Sequence, residues 1–219
     1  MTEKMVLEIP GAGSVTTLRS RPDGPARGRF LYAPGAGSGL HDAFGARCAE
    51  RLPTAGIECW RFQFPYMEAG RRAPDKTPIL EATWRAVIDA ARDDVPLVVG
   101  GRSMGGRIAS HVVATGANVA ALALFAYPLH PPGKPDQLRT AHLSSIGVPT
   151  LFCSGNRDVF GSPDELAAAV ALVPDARLHF LDGADHGFVT LKSSGRSRSE
   201  VWDEAVDAFL AFVDPLLPA

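Results

Sequence analysis

Short apolar segments alternate with longer amphipathic segments along most of this 219-residue chain. The short segments are rich in Val, Leu, Ile and Phe and end at Gly or Pro, which predicts β-strands. Eight strands are predicted, at Met5–Ile9, Val15–Leu18, Phe30–Ala33, Ile57–Phe62, Leu97–Gly100, Val119–Ala126, Val148–Cys153 and Arg177–Leu181. The first two flank a Gly-Ala-Gly turn, so we expect them to pair antiparallel at the edge of a sheet.

Apolar residues three or four positions apart predict amphipathic helices between these strands. The predicted helices span Ala43–Leu52, Thr77–Asp93, Met104–Ala114, Asp164–Leu172 and Ser199–Leu217. Thr77 is predicted as an N-cap with Pro78 at the first helical position, and Ser162 or Pro163 as the cap of the fourth helix. Strands separated by helices of this length predict an α/β fold, in which a mostly parallel eight-stranded sheet has helices on both faces.

No internal repeat or linker divides this pattern, so a single domain over residues 1–219 is expected. The loop after Tyr127 is too short to form a separate lid domain. Residues Met1–Pro10 lack the long apolar core of a signal peptide, and no apolar run approaches the length of a membrane span. These features favour the cytoplasm.

The composition excludes several classes of partner. The formal net charge is −2 with mixed signs, which gives no electrostatic basis for binding nucleic acid or an anionic membrane. The three cysteines, Cys48, Cys59 and Cys153, are far apart and form no C-x-x-C pair, which argues against a disulfide framework or a zinc site. An excess of arginine over lysine and abundant alanine are typical of GC-rich bacterial genomes.

A G-x-S-x-G pattern joins a predicted strand to a predicted helix. Leu97–Gly100 runs into Gly101, Ser103 and Gly105, and the helix follows. In this context the serine projects from a sharp, strained turn, and the flanking glycines leave room for neighbouring chain. Ser103 is therefore the candidate nucleophile, and the amide of Met104 is the candidate oxyanion donor. The alternative is a Gly-rich turn required only for packing.

A candidate base and acid follow the nucleophile in the order Ser, Asp, His. His186 lies in a Gly-containing segment between the last predicted strand and the last helix, and imidazole exchanges protons near neutral pH. Asp158 follows a strand and a Gly, where a carboxylate can orient the imidazole. Asp164 and Asp185 are the alternatives, the former expected in a helical turn and the latter too close to His186 along the chain.

A second Gly-rich loop, Pro34–Gly39, follows the strand Phe30–Ala33 and precedes a helix. Glycines allow the main chain to approach a tetrahedral intermediate closely. The amide of Ala36 is the candidate second oxyanion donor, with Gly35 and Gly37 as neighbours that could line the pocket. The alternative is a flexible connecting loop.

Two further loops supply candidate pocket residues. Tyr127–Pro135 is rich in proline and follows the strand after the nucleophile, so His130 and Lys134 could contact a substrate. In the earlier loop Phe64 and Tyr66 could form an apolar pocket wall. The alternative for the proline-rich loop is a stiff connection with solvated polar tips.

Three segments carry a resemblance to known proteins: Gly101–Arg107, Tyr127–Pro135 and Leu151–Asp158. The chain resembles the α/β-hydrolase superfamily over essentially its full length, in its compact, dienelactone-hydrolase-like branch. It is most similar to a family of small bacterial hydrolase-like proteins related to an animal testis-expressed protein and a histone acetyltransferase complex subunit. Dienelactone hydrolases use a cysteine nucleophile, so Ser103 is a departure from that chemistry.

These observations predict a serine hydrolase that cleaves a small ester or thioester through an acyl-enzyme, with no metal and no cofactor. The expected partner is a small-molecule substrate, and the chain is expected to be a monomer or a dimer. Two alternatives remain open. One is a scaffold protein that retains the fold without catalysis, since the resemblance implies interaction roles for the animal relatives. The other is an acyltransferase that uses the same three side chains.

Overall fold

The computed structural model describes residues 2–218. Eight strands form one sheet: β1 Thr2–Ile9, β2 Gly13–Ser20, β3 Gly28–Ala33, β4 Ile57–Phe62, β5 Leu97–Arg102, β6 Ala121–Phe125, β7 Thr150–Gly155 and β8 Ala176–Leu181. Six α-helices lie between and after them: α1 Ala43–Arg51, α2 Pro65–Glu68, α3 Thr77–Ala90, α4 Met104–Ala114, α5 Pro163–Val170 and α6 Arg198–Val213. Short 3₁₀ turns occur at Leu52–Ala55, Leu143–Ser145, Lys192–Ser194 and Asp214–Leu216.

The strand order in the sheet is β1-β2-β4-β3-β5-β6-β7-β8. β1 pairs antiparallel with β2, and β2 pairs antiparallel with β4. All later pairs are parallel, with β5 flanked by β3 and β6. The mostly parallel sheet and its antiparallel edge are therefore confirmed. Because parallel strands end at the same edge, the loops after β3, β5, β6, β7 and β8 meet above the centre of the sheet.

Both faces of the sheet are covered, and alternation along β3 shows why. Phe30 and Tyr32 point into one core with Phe44 of α1 and Phe209 of α6. Leu31 and Ala33 point into the other core, which contains residues of α3, α4 and α5. Successive side chains of a strand face opposite ways, so a strand buried on both sides reads as a continuous apolar run.

Several helix ends differ from the sequence prediction. Thr77 is the first helical residue of α3 rather than its N-cap, which is Lys76, so Pro78 is second. Ser162 caps α5, with reciprocal hydrogen bonds between Ser162 and Glu165. α2 was not predicted, because four residues are too short for a helical period. Among residues 2–218, no helix combines the length and apolar character needed to cross a membrane.

Candidate active site

Ser103 sits alone between the end of β5 and the start of α4. Its backbone has φ 50° and ψ −118°, a strained conformation for a residue with a side chain. A Cβ at Gly101 would lie 2.1 Å from the carbonyl oxygen of Ala33, and one at Gly105 would lie 2.2 Å from the same atom. The two glycines of the motif are therefore required because the end of β3 passes directly beside the turn.

The loop after β8 is held by Asp185. Its carboxylate accepts hydrogen bonds from the amides of Gly187 at 2.8 Å and Val189 at 3.0 Å. Phe188 is fully buried with φ 58° and fixes the loop in the core beneath α1 and α6. Asp185 thus shapes the backbone around His186 and does not contact its ring nitrogens in this structure.

The structure brings the three predicted side chains into one hydrogen-bonded chain. Nε2 of His186 lies 2.9 Å from Oγ of Ser103, and Nδ1 lies 2.7 Å from Oδ2 of Asp158. A carboxylate at Nδ1 requires that nitrogen to donate, so Nε2 is left to accept the proton of the serine hydroxyl. The Asp158 side chain is 2% exposed and the His186 side chain 23% exposed.

Two close approaches set the position of the carboxylate. The other oxygen of Asp158 accepts the amide of Phe160 at 2.8 Å. A Cβ at Gly155, the last residue of β7, would lie 2.1 Å from the carbonyl oxygen of Ala184. The glycine lets the end of β7 contact the loop that carries His186, so that the acid and the base meet across two neighbouring strand ends.

The start of α4 and the loop of Gly35 and Ala36 both lie beside Ser103. Met104 is the first residue of α4, so its amide has no partner within the helix. Gly35 lies against Ser103, since a Cβ there would be 3.5 Å from the serine Cβ. The next residue, Ala36, has its carbonyl fixed by the hydroxyl of Tyr66, which donates at 2.8 Å.

A cavity of about 610 Å³ opens above these groups. It is lined by Gly35, Ala36, Gly37, Ser38, Pro74, Asp75, Thr77, Leu80, Arg102, Ser103, Met104, Arg107, Pro128, Arg139, Phe160 and His186. Gly35, Ala36 and Gly37 therefore lie where the sequence predicted. The walls come from five loops, from the turn at Ser103 and from the first turns of α3 and α4.

Four predicted pocket residues do not line this cavity. Phe64 is fully buried and packs on Phe62 with ring centroids 5.6 Å apart. Tyr66 is buried beneath the Ala36 loop. His130 is turned inward, where its Nδ1 donates to the carbonyl of Pro131 at 2.8 Å. Lys134 is exposed on a turn outside the cavity. The pocket prediction is wrong for these four, because proximity in sequence to the site does not fix which way a loop side chain points.

The cavity also contains residues that the sequence prediction missed. The ring of Phe160 lies against the imidazole of His186, with centroids 4.1 Å apart and planes inclined by 30°. Arg107 lies one helical turn after Ser103, a spacing that could have indicated a side chain on the same face. Arg139 comes from a loop in which no sequence pattern pointed to it.

Residues 26–214 match a protein family described as an alpha/beta hydrolase domain. Several solved structures share the fold. An α/β serine hydrolase homologue from Coxiella burnetii is 20% identical, with TM-score 0.76, covering 94% of this chain and 96% of that one. An α/β serine hydrolase without a lid from Xanthomonas campestris is 18% identical, with TM-score 0.76, covering 100% and 96%. Dienelactone hydrolase from Anabaena variabilis is 19% identical, with TM-score 0.76, covering 97% and 98%.

One curated relative matches locally. Polyketide synthase ThaQ of Burkholderia thailandensis is 40% identical over 81 residues, which is 36% of this chain and 3% of that protein. The match thus involves a small fraction of a far longer protein. The family match, in contrast, extends from before β3 to the end of α6. The sheet, the turn that carries Ser103 and this match agree, and the chain belongs to the alpha/beta hydrolase family.

Proposed function

We propose that this protein hydrolyses a small ester or thioester through an acyl-enzyme on Ser103. The observation that carries the proposal is the continuous chain of hydrogen bonds from the Ser103 hydroxyl through His186 to Asp158, at 2.9 and 2.7 Å, which opens into the cavity. A positioned base within hydrogen-bond reach is what converts a serine hydroxyl into a nucleophile.

In the first step Oγ of Ser103 attacks the substrate carbonyl carbon while Nε2 of His186 takes the hydroxyl proton. The amides of Met104 and Ala36 stabilise the negative charge on the carbonyl oxygen, helped by the N-terminus of α4. The imidazolium then gives its proton to the departing alcohol or thiol as the bond to that group breaks. Asp158, buried against Nδ1, stabilises the positive imidazolium.

In the second step His186 takes a proton from a water molecule, which attacks the acyl carbon. The intermediate collapses, the bond to Oγ breaks, and His186 returns its proton to Ser103. The ring of Phe160 covers one side of the imidazole and restricts its rotation between the two steps. This arrangement supports hydrolysis, and an acyl acceptor other than water would make the same chemistry an acyl transfer.

The test is covalent labelling by a fluorophosphonate, followed by intact mass. We expect one adduct on the wild-type protein and none on Ser103→Ala or His186→Ala. Hydrolysis of a p-nitrophenyl ester should fall by several orders of magnitude in both variants and no further in the double variant, because the two residues act as a unit.

Ser194→Ala is the matched control, since Ser194 is exposed and lies outside the cavity. It should be labelled and should turn over ester like the wild type. A folded wild-type protein that is not labelled, or equal rates for wild type and Ser103→Ala, would contradict the proposal. Absence of labelling would favour the alternative of a scaffold protein without catalysis.

A further inference from the structure

Two arginines in the cavity have no carboxylate partner. Arg107 and Arg139 form no ion pair within residues 2–218, although both line the cavity above Ser103. The other charged groups in the wall are compensated. Arg102 lies 3.6 Å from a carboxylate oxygen of Asp42. Asp75 accepts Arg71 at 2.6 Å and the amide of Tyr66 at 2.9 Å.

The structure holds both arginines in place by contacts that leave their charges unneutralised. Nη1 of Arg139 donates to the carbonyl of Pro128 at 3.1 Å, and the Arg139 carbonyl accepts the hydroxyl of Tyr127 at 2.6 Å. Nη1 of Arg107 lies 3.5 Å from Nε2 of His111, whose other nitrogen faces Glu81 at 3.1 Å.

The environment of Arg107 disfavours the charged form of its guanidinium. Burial, and then the charge of Arg139, lower the pKa of its guanidinium from the ordinary value. Two like charges in a partly desolvated wall repel each other, and an anion between them relieves both the repulsion and the lost hydration. Guanidinium groups are also suited to carboxylates, because their planar N–H groups match the two oxygens.

We propose that the cavity selects esters whose acyl chain ends in a carboxylate, bound by Arg107 and Arg139. This inference rests on the proposed function and names its substrate class. The backbone of Arg107 lies one helical turn after that of Ser103, roughly 6 Å along α4. The Arg107 amide donates to the Ser103 carbonyl at 2.9 Å, as this spacing requires.

The placement of His186 assigns the anion to the acyl side. Phe188, two residues after His186, packs in the core beneath α1 and α6, whereas Ile108, next to Arg107, packs in the opposite core. The loop that carries His186 therefore packs on one face of the sheet, and the helix that carries Arg107 packs on the other. Since His186 must protonate the leaving group, that group lies on its side and the acyl chain extends toward the arginines.

The experiment compares two substrates that differ in one charge: the mono-p-nitrophenyl ester of glutaric acid and its analogue with the distal carboxylate methylated. We expect the wild type to favour the anion by about tenfold or more in kcat/KM. Arg107→Met and Arg139→Met should each lose about tenfold to a hundredfold on the anionic ester and clearly less on the methylated ester, so that the ratio of the two kcat/KM values falls. Arg107→Lys should retain part of the preference.

Lys134→Met is the matched control. It removes one positive charge from an exposed position close by in the chain but outside the cavity. It should leave the ratio of the two substrates unchanged, which separates local binding from a general effect of net charge. Equal kcat/KM of wild type for both esters, or equal losses on both esters in the arginine variants, would overturn the proposal while leaving hydrolysis intact.

A binding measurement tests the carboxylate site independently of catalytic turnover. Calorimetry on Ser103→Ala should show monomethyl glutarate binding and a loss of about tenfold or more in affinity when Arg107→Met is added. Absence of binding would overturn the carboxylate site, and so would inorganic phosphate binding tenfold more tightly than the carboxylate. If this binding is seen but fluorophosphonate does not label the wild type, the proposed hydrolysis fails and the anion site stands.

Discussion

At the scale of single residues, the hydroxyl of Tyr66 connects two parts of the site. It donates to the carbonyl of Ala36, and the Tyr66 amide is itself held by Asp75. Burial, and then the nearby Asp75 charge, raise the pKa of Tyr66 to about 12, so that its hydroxyl stays protonated and remains a donor near neutral pH. In the proposed mechanism Tyr66 is a positioning residue, which acts through the loop that carries the Ala36 amide.

Tyr66→Phe should therefore lower kcat by about tenfold with little change in KM, since the loss of one hydrogen bond loosens an oxyanion donor. Steady-state rates on the glutarate ester and its methylated analogue should fall together. Tyr127→Phe is the informative comparison, because its hydroxyl holds Arg139 and its loss should reduce the preference for the anion. An unchanged kcat in Tyr66→Phe would show that the loop needs no such support.

Some residues of the site could be identified from the sequence and others could not. Ser103, Asp158 and His186 could be identified because each follows a predicted strand, in the order along the chain that is typical of this fold. Phe160 and Arg139 were not, since their positions depend on loop conformations that the local pattern does not encode.

At the scale of elements, a pair of imidazoles joins α4 to the segment before β7. The rings of His111 and His142 lie 4.3 Å apart, and Nε2 of His142 lies 2.7 Å from Oγ of Ser110. Burial, followed by the charges of His111 and Arg107, lowers the pKa of His142 to about 4. The folded state thus holds this imidazole neutral, whereas the unfolded chain protonates it below about pH 6.5.

The low pKa of His142 in the folded state makes the stability of the protein depend on pH. Because the unfolded state binds the extra proton, this contribution is complete above pH 6.5 and is lost as the pH falls toward 4. We expect up to about 2 kcal/mol of the free energy of unfolding to be lost at pH 5 from His142 alone. Urea unfolding at pH 7.5 and pH 5 should show a smaller drop in His142→Asn than in the wild type. Parallel pH profiles would refute the assignment.

The elements themselves were predictable where burial is complete. β3, β4 and α4 were recognisable because each strand is buried at every position and mostly apolar, and because α4 has one whole apolar face. The ends were less predictable. Pro215 lacks an amide hydrogen, and there the final helix gives way to a 3₁₀ turn rather than continuing to Leu217.

At the scale of the whole molecule, a buried network of ion pairs lies at the end of the parallel strands opposite the site. Arg29 and Glu58 lie near the starts of β3 and β4 and pair with each other. Glu58, whose side chain is 2% exposed, also pairs with Arg19, and Arg29 reaches Asp93 at 2.6 Å. Such a buried network contributes mainly by leaving no ion unpaired.

Glu58→Gln should therefore lower the free energy of unfolding by about 3 kcal/mol, because the buried guanidinium of Arg29 is left with only the half-exposed Asp93 carboxylate as its charged partner. Asp93→Asn should cost less, since that carboxylate is half exposed. Chemical denaturation measures both. The rate of fluorophosphonate labelling of the folded protein should be unchanged in either variant, and a slower rate would show that the two ends of the parallel strands are coupled.

The turn at Ser103 has a consequence for how this scaffold can change its chemistry. The backbone there is dictated by what surrounds it: Gly101 and Gly105 against the Ala33 carbonyl, and Gly35 against the side chain. None of these constraints involves the hydroxyl itself. The backbone at this position accepts any small side chain, so a thiol could replace the hydroxyl without a change in backbone conformation. Exchange of the reacting atom is then a single substitution, whereas relocation of that atom would require the sheet to be rebuilt.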